Sequence, residues 1–144
     1  MANYCCAIRT NYFKVKNEEK FTDFMKNVHG SENDIKIWTR ESNGTKYFAF
    51  GCYGVIAGWY DADDESFFDW DDAYDIFIDG LSQLVAEDDA IIIFESGNEK
   101  LRYLTGDAMI ITSKDTAYIN INNAATKKAS DMLGNPSWET RLNY

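Results

Sequence analysis

This chain has one proline, one histidine and three cysteines among its 144 residues, and each scarcity removes a class of function. The cysteines are odd in number and none stands in a Cys-x-x-Cys pair, which excludes a disulfide framework and a structural zinc site. His29, the single histidine, leaves no base for Ser/His or Cys/His nucleophilic catalysis. Beside Gly30 it reads as a surface cation at the C-terminal end of a helix. No stretch approaches the roughly 18 apolar residues of a membrane span. The opening Met1-Ala2-Asn3-Tyr4-Cys5-Cys6 has no basic region and no long apolar stretch, so the sequence predicts a cytoplasmic protein without a secretory signal. Gly51, Gly54 and Gly58 precede no Gly-Lys-Ser/Thr and read as bends in a twisted sheet, not as a phosphate loop.

The most informative absence is that of basic charge. Of 14 Lys and Arg, none lies between Lys46 and Lys100, whereas 14 of the 24 acids do. The formal charge of -10 is therefore a middle of -14 between flanks that together carry +4. Such a clustered charge attracts cationic partners and repels DNA and RNA, so direct nucleic-acid binding is not expected. The acids are interleaved with Trp59, Tyr60, Phe67, Phe68, Trp70 and Tyr74, a mixture that suits an interface with a basic protein surface.

Hydrophobic periodicity outlines the elements. Tyr4 to Val15 alternates as a strand with Cys6, Ile8, Thr10 and Tyr12 on one face. Asn17 caps a helix in which Phe21, Phe24, Met25 and Val28 form the apolar stripe and Gly30 is the stop. Ile35 to Trp38 and Tyr47 to Tyr53 are strands joined by the hairpin signal Asn43-Gly44. An acidic loop over 61–71 leads to a helix over 72–85 capped by Asp71 or Asp72, then a strand over 90–94 buried on both faces. Residues 101–105, 108–112 and 118–121 read as further short strands. Asn122 or Asn123 starts a last helix whose core face carries Ala125, Ala129, Met132 and Leu133, with Gly134 and Pro136 ending it. The order predicts a single α+β domain over 1–144. Its expected architecture is a ferredoxin-like βαββαβ antiparallel sheet over about 4–95 with helices on one face. Extra C-terminal strands and a short helix would follow over about 96–144.

No catalytic or metal-binding constellation emerges. Asp61-Ala62-Asp63-Asp64-Glu65 places carboxylates at alternate positions, but the turn glycine of a calcium loop is missing and Asp72 stands where a bidentate Glu is needed. No cofactor is called for. The candidate partner-binding residues are Asp61, Asp63, Asp64, Glu65, Asp69, Trp70, Asp71, Asp72, Asp75 and Asp79, a line of carboxylates with one aromatic anchor. The expected function is non-enzymatic binding of a basic site on a partner protein, such as a nucleic-acid-processing enzyme. The alternatives are a homodimeric or small-ligand-binding module using Trp38, Tyr47 and Tyr53, and a hydrolase built on a carboxylate pair and a divalent ion.

The opening Asn3-Tyr4-Cys5, running into a strand and an amphipathic helix, resembles small ferredoxin-like proteins of phages and plasmids over the first 50 or so residues. The dense acids from Asp61 to Asp89 are similar in composition to antirestriction (ArdA-type) and anti-CRISPR proteins of mobile elements. That resemblance implies a DNA-mimic counter-defence role, and no inhibitory residue of those families is carried over.

Overall fold

The computed structural model describes residues 4–63 and 70–140. Its elements are β1 (Cys5–Thr10), α1 (Glu18–Met25), β2 (Val28–Gly30), β3 (Lys36–Ser42), β4 (Thr45–Tyr53) and β5 (Ile56–Trp59), followed by α2 (Trp70–Leu84), β6 (Ile91–Glu99), β7 (Tyr103–Ile111), β8 (Thr116–Asn120) and α3 (Ile121–Leu133). Six strands form one sheet in the order β3-β4-β1-β6-β7-β8, and every neighbouring pair is antiparallel. β2 and β5 pair only with each other, as a separate ribbon.

The ferredoxin-like βαββαβ expectation is corrected by this arrangement. β7 and β8 are not an appendage; they continue the sheet without a break, and nine register pairs join β6 to β7 from Ile91↔Ile111 to Glu99↔Tyr103. The β2-β5 ribbon interrupts the expected order, and the helices do not share one face. α1 and α2 cover the inner face, contributing Phe21, Met25, Phe77, Ile78 and Leu81 to the core. Ile121, at the start of α3, lies instead over Gly106 on the outer face, where a Cβ on that glycine would meet it at 3.0 Å. Among the described residues, no helix is long and apolar enough to cross a membrane.

Local chemistry accounts for most boundaries. Asn17 Oδ1 accepts the Lys20 amide at 3.0 Å and starts α1, while Asn43 and Gly44 take φ of 53° and 79°, the turn that a twisted two-residue hairpin needs. α3 is capped by Asn120, whose side chain accepts the amides of Asn122 and Asn123, and by left-handed Gly134 at φ 64°. Other boundaries differ from expectation. α1 stops at Met25, so Val28 and His29 belong to β2, because pairing with Trp59 and Gly58 satisfies their backbone groups. The β1 alternation breaks after Thr10. Asn11 bonds sideways to β6 and its approach, its Oδ1 accepting the Ile92 amide at 2.8 Å and its Nδ2 donating to Ala90 O at 3.0 Å. Phe13 is thereby turned inward to full burial while Tyr12 is exposed. The 90–94 segment is buried on one face only, since Phe94 is half exposed, and Gly106 sits inside β7 instead of ending it. Trp70 opens α2, so Asp71 and Asp72 lie within its first turn and are not its caps.

Candidate functional site

A sheet of six strands spaced about 4.8 Å apart is about 24 Å wide, and two helices packed about 10 Å apart cover some 20 Å of it. α2 packs on β5 and reaches the inner side of β7, and beyond it the part of that side around Glu95, Asp107 and Tyr118 stays partly open. The gap is a cleft of about 260 Å³ between α2, β5 and the sheet, lined by Ile8, Val55, Ile56, Tyr74, Ile93, Glu95, Asp107, Met109 and Tyr118. Its floor is core. Its rim is two carboxylates and two phenols.

Glu95 and Asp107 are direct register partners on β6 and β7, both on the inward face and both half-buried. Like charges directly opposite each other on a sheet destabilise it. Among the described residues no Lys or Arg forms an ion pair with either, the ion pairs there being Lys14–Asp88, Lys26–Asp23 and Lys46–Glu18. Neutral donors hold them instead. Tyr4 Oη donates to Glu95 Oε2 at 2.8 Å and receives the Thr105 hydroxyl at 2.6 Å, and Asn120 Nδ2 donates to Asp107 Oδ1 at 2.7 Å. Gly97 makes room for this network, since a Cβ there would fall 2.6 Å from Tyr4 Oη.

The phenols are tuned by the same charges. Burial, reinforced by Glu95, pushes Tyr4 up to about 12. Burial and then Glu95 raise Tyr74 as well. At Tyr118 the side chain of Asn120 pulls the value down, but partial burial and the Asp107 carboxylate outweigh it and the net direction is up. Three protonated phenols therefore surround two carboxylates. Tyr faces and carboxylates together are the chemistry that receives an ammonium or guanidinium group. The space is smaller than the roughly 300–1,000 Å³ of small-molecule sites and suits one protruding side chain.

The residues singled out from sequence are brought together only in part. Asp72, Asp75 and Asp79 share the outer face of α2, opposite buried Ala73, Phe77 and Leu81, and all three are exposed. Asp61 and Asp63 are exposed after β5, with Asp61 Oδ1 accepting the Asp63 amide at 3.0 Å. Asp64, Glu65 and Asp69 lie outside the described residues. Trp70 and Asp71 fall in the first turn of α2, and their side chains are likewise outside the description. At the far end of α2, Asp88 is neutralised by Lys14 at 2.7 Å, and Asp89 accepts the Lys14 amide at 2.8 Å, so that end of the acidic run is structural. His29 is not a surface dipole partner. It stacks on Tyr60 with ring centroids 4.0 Å apart, its Nε2 3.1 Å from Tyr60 O.

Glu95, Asp107, Tyr4 and Tyr118 do not stand out as a group in the sequence. The available signal was an acid at an inward position of two apolar alternations, Ile91-x-Ile93-x-Glu95 and Asp107-x-Met109-x-Ile111. Both thiols on the inward face, Cys6 and Cys52, are raised by burial and are free, which fits packing better than reactivity. No group of three or more His, Cys, Asp or Glu among the described residues is placed to hold a metal ion. No protein-family model, curated protein or solved structure matches this chain.

Proposed function

We propose that this is a non-catalytic cytoplasmic protein that binds a basic surface of another protein, of the kind that grips nucleic acid. Asp72, Asp75 and Asp79 form the contact ridge, and the Glu95/Asp107 cleft takes one protruding lysine or arginine. The observation that carries the reading is the Glu95–Asp107 pair, two facing carboxylates with no described cation beside them and a void of side-chain size above. A cation placed there turns a repulsion into an attraction, which is a physical reason for keeping the pair. Tyr74, on the rim of the cleft, lies about 100° round α2 from Asp75, so a partner that meets both features must reach round the helix.

The ridge resembles a nucleic acid in sign more than in density. Seven residues of helix rise about 10 Å at 1.5 Å each. Duplex DNA carries one charge per ~1.7 Å, so three carboxylates give roughly half its linear density. A counter-defence inhibitor acting as a DNA mimic is the specific form of this proposal that the charge supports. The test is an immobilised protein challenged with bacterial lysate at low salt and eluted by a salt step, alongside an E95Q/D107N variant. Nucleic-acid-binding proteins retained by the native chain and lost from the variant are expected. Equal retention by both rejects the cleft as the contact.

A further inference from the structure

We propose that two copies of this chain associate through the outer face of β6, β7 and β8 together with α3, a surface independent of the acidic cleft on the opposite side of the sheet. The outward positions on these strands are Ile92, Phe94, Ser96 and Asn98 on β6, Leu104, Gly106, Ala108 and Ile110 on β7, and Ala117 and Ile119 on β8. None of them is charged, in a chain of which 26% of residues are. Phe94, Leu104 and Ile119 are exposed by 50%, 61% and 50%.

α3 borders this face and is equally uncovered. None of its 13 residues is buried, and Ile121, Met132 and Leu133 are 57%, 78% and 61% exposed. Helical spacing puts Ile121, Ala125, Ala129, Met132 and Leu133 on one side of it. A helix of this length is marginal in water without a packed apolar face. Its two caps hold the ends and Ile121 rests over Gly106, while Met132 and Leu133 stay exposed.

A second copy is the occupant these observations select. The exposed parts of the six large apolar side chains come to roughly 700 Å², close to the ~800 Å² that each partner contributes to a stable interface. A strongly charged partner gains nothing from an uncharged face. Two copies at -10 each are repelled wherever their acids meet, and this face keeps the acids of α2 and the cleft turned away from the contact. An uncovered helix stripe beside an uncovered sheet face is also self-complementary about a two-fold axis, each α3 lying on the other copy's strands.

Sedimentation equilibrium between 1 and 100 µM tests this, with Phe94→Asp and Ile119→Asp beside the native chain and circular dichroism as the control for folding. The native chain is expected at twice the chain mass, with little change between 0.05 and 1 M NaCl. Each folded variant should dissociate at least tenfold more readily, while E95Q/D107N stays dimeric. If one variant fails to fold, the other, at a separate exposed position, gives the reading. A native chain monomeric at 100 µM, or a dimer unaffected by the folded variants, overturns the proposal. Because E95Q/D107N leaves this face untouched, failure here and failure of the partner-binding reading are separate results.

Discussion

Tyr4 donates its hydroxyl proton to Glu95 Oε2 at 2.8 Å, tying the residue before β1 to a carboxylate 91 positions further along the chain. Burial and that carboxylate hold Tyr4 at about 12, above the usual 10.0 of a phenol. The folded chain therefore keeps a proton that the unfolded chain loses, and the stabilisation is fully present below pH 10 and lost as pH rises from 10 to 12. Tyr4 is 39% exposed, so solvent screening makes the effect modest. Absorbance titration at 295 nm should show a late-ionising phenol that Tyr4→Phe removes. Urea midpoints should fall less steeply between pH 10 and 12 in Tyr4→Phe than in the native chain. Identical slopes would show that Tyr4 ionises normally.

Glu95 and Asp107 carry the opposite consequence at neutral pH. Glu95→Gln keeps an oxygen for Tyr4, and Asp107→Asn keeps one for Asn120, so each removes a charge without removing its hydrogen bond. Favourable cross-strand pairs are worth about 0.2–1 kcal/mol, and like charges directly opposite act in the other direction on that scale. Either variant should raise the unfolding free energy by that amount in urea at low salt, with less gain at 0.5 M NaCl. A destabilised variant would mean that a cation already compensates the pair.

Local reading does not group Tyr4, Glu95 and Asp107, and the reason is physical. Asn17, Asn43-Gly44 and Gly134 were legible because caps and turns are decided within four residues by backbone geometry. Val28 fits α1 by its i+7 spacing, yet long-range pairing with Trp59 decides its state. Phe94 reads as buried because Ile91-Ile92-Ile93-Phe94 is continuously apolar, whereas its side chain is half exposed on the outer face of the sheet. The same limit applies to the cleft. Glu95 and Asp107 are twelve residues apart, and the register through Lys100, with its φ of 51°, sets which acid faces which. The acidic run from Asp61 to Asp79 was visible as composition. That its far end is tied to Lys14 was not.

Gly58 holds α2 against β5. Its φ is 137°, and a Cβ there would overlap the backbone carbonyl of Ala73. Gly58→Ala must strain the backbone or push α2 away, and overpacking of this kind costs about 1–3 kcal/mol. Since Tyr74, the next residue, lines the cleft, the same variant should weaken capture of the basic partner. Gly44→Ala is the comparison, because its φ of 79° is also strained but nothing lies within 4 Å of the added atom. A Gly58→Ala cost no greater than that of Gly44→Ala would remove close approach as the reason for the glycine.

Asp88 and Asp89 differ in role despite being neighbours. Asp88 meets Lys14 Nζ at 2.7 Å, and that pairing lowers its carboxyl, but its side chain is 74% exposed. Asp89 is half-buried and accepts two backbone amides at 2.8 Å, those of Lys14 and Ala90. Hydrogen bonds from buried donors to a charged acceptor are worth about 1.5–3 kcal/mol, so Asp89→Ala should lose an amount of that order. Asp88→Ala should leave the urea midpoint within error. Equal effects would refute the division between a surface ion pair and a backbone clamp.

The three acids on the outer face of α2 should also separate by position. Asp72 lies in the first turn, where the helix dipole favours a negative charge by about 0.3–1 kcal/mol, so Asp72→Asn should destabilise. Asp75 and Asp79 are four residues apart on the exposed face, and such like-charge pairs cost about 0.2–0.5 kcal/mol, so Asp79→Asn should stabilise. Both variants remove one charge from the ridge, and both should elute from a basic partner at lower salt than the native chain. Thermal melts at 20 mM salt read the first pair of effects and the salt step reads the second. Opposite shifts in stability with the same shift in elution identify the ridge as a binding surface, because a helix-stability effect alone cannot move both variants the same way. Elution that follows stability, up for one variant and down for the other, would assign these acids to the helix and not to a partner.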